Sequence, residues 1–101
     1  MSEWKQGDTL PDMIMDCFDA NGQRADLSDA TTVTVKVSKS GTLLWERATN
    51  KPADGTVVVP LQPSDTATPG TYFVKVYAVW PGNKRQHYPP GSKYMTMTVT
   101  R

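Results

Sequence analysis

Strict alternation of apolar and polar residues is the feature that most limits what this chain can fold into. Val33, Val35 and Val37 are interleaved with Thr32, Thr34, Lys36 and Ser38. That period of two, written in β-branched side chains, satisfies a strand and not a helix. It returns at Val57, Val59 and Leu61, and at Met95, Met97 and Val99 against Thr96, Thr98 and Thr100. The longest stretch puts Tyr72, Val74, Val76, Ala78 and Trp80 on one strand face and Phe73, Lys75, Tyr77 and Val79 on the other. Leu43-Leu44-Trp45 and the segment from Met13 to Phe18 read as shorter strands. No segment shows helical periodicity.

Glycine and proline punctuate these stretches where turns are needed. Asn21-Gly22, Ser40-Gly41, Asp54-Gly55, Pro69-Gly70, Pro81-Gly82 and Pro89-Pro90-Gly91 each fall between strand patterns, and such pairs supply positive φ or a fixed bend. Short strands spaced by these turns predict an all-β, immunoglobulin-like β-sandwich of about six to seven antiparallel strands. A small β-barrel is the competing architecture. Residues 1–11 are polar, end at Pro11 and lack β-formers, so they read as an N-terminal extension. Residues 12–101 then form a single domain, and 101 residues hold one modest core.

Composition narrows the function classes. At 38% hydrophobic and 21% charged the chain is globular, and no apolar run approaches the ~18 residues that cross a bilayer. The opening Met-Ser-Glu-Trp-Lys-Gln lacks the apolar core of a secretory leader. The lone cysteine, Cys17, leaves no internal disulfide and no cysteine-built metal site; inside a strand beside Phe18 it reads as a small buried hydrophobe. The net charge of +1 hides an asymmetry. Residues 1–31 carry two basic and seven acidic side chains, the remainder nine basic and three acidic. Such polarity either cancels within one compact domain or steers copies and partners together.

No catalytic constellation is legible, and the chain reads as a non-enzyme. His87, the sole histidine, has no neighbouring nucleophile or carboxylate in sequence, and metal binding would need further His or Cys ligands. Asp19-Ala20-Asn21-Gly22 places glycine too early for a calcium loop, and the closing glutamate is missing, so it reads as a hairpin turn. No metal or other cofactor is expected. The basic segment from Pro81 to Lys93 is too small a cationic feature for a nucleic-acid domain. Trp4 in the extension, with Lys84, Arg85 and Tyr88 in that segment, are the expected partner-binding residues, and Tyr77 is a further exposed aromatic. Trp45, Tyr77 and Tyr88 would serve the alternative function, a carbohydrate-binding or adhesion module, if they lay coplanar and exposed.

The order of motifs carries a resemblance. Asp19-Ala20-Asn21-Gly22 and Asp26-Leu27-Ser28 precede a Val-Thr strand; Asp65 precedes Gly70-Thr71-Tyr72; Tyr88-Pro89-Pro90-Gly91 leads into the closing strand. This is similar to the N-terminal domain family of phage upper baseplate proteins and related small tail proteins, over roughly residues 12–100. Asp65 ahead of Gly70-Thr71-Tyr72 also resembles the tyrosine corner of immunoglobulin-like domains. The resemblance implies a virion structural protein that folds in the host cytoplasm and assembles onto a tail or baseplate. Its partners would be other virion proteins and copies of itself, with neither membrane nor nucleic acid involved. The family's members continue into further domains, so a stand-alone tail, neck or capsid accessory role is also expected.

Overall fold

In a computed structural model of the chain, which describes residues 2–19, 21–89 and 93–101, the alternating stretches are strands. In chain order they are β1 (Ser2–Lys5), β2 (Met13–Asp16), β3 (Thr32–Lys39), β4 (Thr42–Ala48), β5 (Thr56–Val59), β6 (Gly70–Trp80), β7 (Lys84–Tyr88) and β8 (Met95–Thr100). A single turn of 3-10 helix at Pro63–Thr66 lies between β5 and β6.

Two layers result. The larger sheet has the order β1-β8-β6-β3-β4, and the smaller is the antiparallel pair β2-β5. β6 is long enough that one of its edges holds two strands in succession, β8 along Gly70–Val74 and β7 along Val76–Trp80. Its other edge pairs with β3. The turn between β3 and β4 is Ser40-Gly41, with φ of 53° and 81°. Positive φ at both positions matches the twist of the flanking strands, and glycine supplies it at no steric cost.

The residues that alternate in the sequence face inward. Val33, Val35, Val37, Val74, Val76, Ala78 and Met97 from the large sheet meet Met13, Met15, Val57 and Val59 from the small one. Burying each of these valine and methionine side chains contributes roughly 1.5–3 kcal/mol. The chain is therefore an all-β sandwich. Tyr72 donates its hydroxyl to the Thr68 carbonyl, which is the tyrosine corner expected at the start of that strand.

Two expectations about layout need correction. Among the described residues the strands number eight, because β1 lies in the supposed extension and β7 in the supposed loop. β1 pairs with β8 in parallel, Trp4 opposite Val99, so residues 2–5 are part of the sandwich. Trp4 is the one apolar residue of Ser2-Glu3-Trp4-Lys5, which leaves no alternation to read, and the strand it pairs with is β8, far away in sequence. β7 is written in polar residues, Lys84-Arg85-Gln86-His87-Tyr88, and folds back on β6 after Pro81-Gly82-Asn83. The turns expected around Ala20 and at Pro90-Gly91 fall partly outside the described residues.

Candidate functional site

The expected contact residues separate into two kinds. Lys84 and Arg85 are exposed at the start of β7. Trp4 and Tyr88 are not exposed: their relative accessibilities are 3% and 4%, and both join the core. Trp4 points inward from β1, its indole Nε1 donating to the Pro11 carbonyl at 2.7 Å. Tyr88 stands opposite Val76, and burial raises its phenol pKa above the ordinary value, with Cys17 and Asp19 adding to the shift. The reading of these two as surface contacts is therefore corrected, and the four residues form no common surface. Trp45 is opposite the inward-facing Val37 and packs against the core, whereas Tyr77 is opposite Thr34 on the outer face. The three aromatics considered for a glycan platform thus do not share a face.

What the strands do expose is an aromatic and cationic surface on the outside of the large sheet. The in-register pairs Lys36–Lys75, Ser38–Phe73 and Thr34–Tyr77 join β3 to β6. His87 stands opposite Tyr77 on β7, and Leu43 opposite Ser38 on β4. Phe73 is 39% accessible, and Leu43 and Tyr94 more so. The rings pack in pairs: Tyr77 with His87 at 4.6 Å between centroids, Phe73 with Tyr94 at 5.4 Å. Each lysine lies over a ring, Lys36 Nζ 4.4 Å from the Tyr77 centroid and Lys75 Nζ 5.0 Å from that of Tyr94. Lys75 also donates to the Pro89 carbonyl at 3.2 Å. A hollow of about 130 Å³ opens between Lys36, Ser38, Leu43, Lys75, His87 and Tyr94.

Two lysines directly opposite each other on neighbouring strands repel, and here the tyrosine rings supply the compensating attraction. Glu46 is also in register with Lys36, yet among the described residues no ion pair joins them. Partial burial first, then the charges of Lys36 and Lys75, hold the His87 pKa below its ordinary 6.5. The imidazole is therefore neutral at pH 7. The parity of Phe73, Lys75 and Tyr77 was legible in the sequence; the addition of Leu43, His87 and Tyr94 depends on cross-strand register.

The outside of the small sheet has a different character. Ile14 stands opposite Val58 and Asp16 opposite Thr56. Phe18 follows with the same outward parity and bridges to Arg24. Arg24 reaches Asp16 Oδ1 at 2.9 Å and Thr56 Oγ1 at 3.2 Å, its guanidinium 5.4 Å from the Phe18 ring centroid. The second ion pair, Arg47–Asp65 at 3.0 Å, lies at the corner between β5 and β6 with the aspartate buried. Each of these pairs stays within one of the two charge blocks, so among the described residues neither joins the acidic block to the basic one.

The motif residues behind the family resemblance have local structural roles. Asp19 Oδ1 accepts the backbone N–H groups of Asn21 and Gln23, the side-chain turn expected there. Asp26 accepts the Ser28 hydroxyl and N–H, which lower its pKa, hydroxyl first. Leu27 between them is fully buried. Cys17 is likewise buried, and its thiol is pushed up to about 11 by burial and then by Asp16. These positions secure turns and core. No protein-family model matches the chain, and no curated protein or solved structure matches it.

Proposed function

We propose that this chain is a non-enzymatic assembly module that works through protein–protein contacts, as the resemblance to small phage tail and baseplate proteins implies. The observation that carries the reading is the distribution of exposed large hydrophobics. Leu43, Phe73 and Tyr94 gather on or beside the outer face of the large sheet, and Leu10, Ile14, Phe18 and Val58 lie along the β2 side. Isolated surface hydrophobics are ordinary, whereas grouped ones mark interaction surfaces. The large-sheet group also carries Tyr77, Tyr94 and His87 among lysines, and aromatic side chains are the ones that anchor interfaces. Partners of this kind are other virion structural proteins and copies of the chain, assembled on a tail or baseplate in the host cytoplasm.

The test is the native mass of the complex formed when the chain is co-expressed with its neighbouring genes. A defined multimer containing a larger structural protein is expected, and it is lost when Leu43 and Phe73 are both changed to Asp. A lone monomer retained on a glycan array would overturn the reading in favour of the carbohydrate-binding alternative.

A further inference from the structure

The two exposed patches differ in charge as well as in place. From residue 8 to residue 18 the even-numbered positions read Asp8, Leu10, Asp12, Ile14, Asp16 and Phe18. Within β2 this puts Ile14 and Asp16 outward while Met13 and Met15 fill the core. Leu10, Ile14 and Phe18 are exposed along this strip, and Arg24 offsets one of its three carboxylates through Asp16. On the opposite side of the sandwich, Leu43 and Phe73 are set among Lys36 and Lys75, with Glu46 the one carboxylate in register with Lys36, while Tyr94 lies toward the sheet edge, where it and Ile14 border one hollow. One patch is acidic and aliphatic, the other basic and aromatic.

We infer that copies of this chain associate head to tail, the outer face of the large sheet of one copy docking on the Asp8–Phe18 strip of the next. The inference rests on the assembly reading above and names the two surfaces it uses. Like patches would oppose charge to like charge, which disfavours a two-fold dimer through either face alone. Because the patches lie on opposite outer faces, one pair of molecules cannot satisfy both at once, so the contact is heterologous. Repeating it closes a ring or extends a filament. Lys36 already binds the Tyr77 ring in the single chain, so a carboxylate from the neighbour completes a cation that the ring satisfies only in part.

Sedimentation velocity on the purified chain and two double variants tests this. One variant carries Lys36→Ser with Leu43→Ser on the large sheet; the other carries Asp12→Ser with Ile14→Ser on the strip, so that the two altered faces have no charge attraction for each other. These side chains are exposed or half-exposed, and an unchanged near-ultraviolet circular dichroism spectrum verifies each fold. The unmodified chain associates with rising concentration, and raising the salt weakens it several-fold. Each variant alone associates at least about 10-fold more weakly. Mixed in equal amounts they form a one-to-one dimer that does not grow, because each keeps one intact face. An unmodified chain that stays monomeric to about 1 mM overturns the inference, as does association indifferent to salt or a mixture that fails to pair. If such a monomer still enters the co-expressed complex, only the head-to-tail contact is lost and the assembly reading survives.

Discussion

The two outer faces of this sandwich are built by the same alternation and put to different uses. On β3 and β6 every second residue enters the core, and the residues between them, Lys36, Phe73, Lys75 and Tyr77, are held at fixed spacing by register across the sheet. On β2 and β5 the same rule leaves Ile14, Asp16, Thr56 and Val58 outside. The difference lies in support. The large face spans a central strand paired on both edges along much of its length, whereas the small face belongs to a two-stranded sheet. A two-stranded ribbon is stable only through what it packs against, so the acidic strip depends on the core beneath it. The basic face carries its own scaffold.

Removing the shared foundation has the largest effect. Trp4→Ala deletes a buried indole and its bond to Pro11, and costs about 3–5 kcal/mol, read as a lowered midpoint in urea. A residue acting only as an exposed contact would leave that midpoint unchanged, so the result separates the core role from the role expected in sequence. Gly55→Ala strikes the small face selectively. Gly55 has φ of +75°, and a Cβ there would stand 2.8 Å from the Cys17 carbonyl oxygen and 2.9 Å from that of Ala25. A loss of about 2 kcal/mol or more follows. Hydrogen exchange should then speed up in β2 and β5 well before β3 and β6; uniform acceleration would mean the faces are not independent.

A substitution on the large face sharpens the contrast from the other side. Phe73→Asp should change stability by less than about 1 kcal/mol, while abolishing co-assembly. Retained assembly would remove Phe73 from the contact surface. The smallest effect is electrostatic. An NMR titration should find the His87 midpoint below the ordinary 6.5, and Lys36→Met should move it upward by removing one of the two lysine charges. The folded chain therefore takes up this proton later than the unfolded chain does. The sign follows: stability is whole at neutral pH and declines slightly as pH falls through the unfolded value.

The fold was legible where side chains alternate. Val33 to Val37, Tyr72 to Trp80 and Met95 to Val99 announced their strands and their inward faces, because a two-sheet core demands that pattern locally. β1 and β7 were not legible, since their pairing is decided by a partner distant in sequence or by a hairpin in polar residues. That loss carried over to the site. Trp4 and Tyr88 looked exposed because the segments around them look like coil, and the strands that bury them are invisible in composition. Lys84 and Arg85 are exposed as expected, but the grouped apolar and aromatic surface lies elsewhere. It is assembled from four strands and the approach to a fifth, so only register brings Lys36, Leu43, Phe73, His87 and Tyr94 together.

Hydroxyl-radical footprinting of the chain, alone and in its assembled state, tests the central claim most directly. Partner contacts on the two outer faces predict new protection at Leu43, Phe73 and Tyr94, and at Leu10, Ile14 and Phe18. Trp4 and Tyr88 should be equally shielded in both states, being buried already. Protection confined to the Lys84–Arg85 end of β7, with both faces still open to the radical, would contradict it.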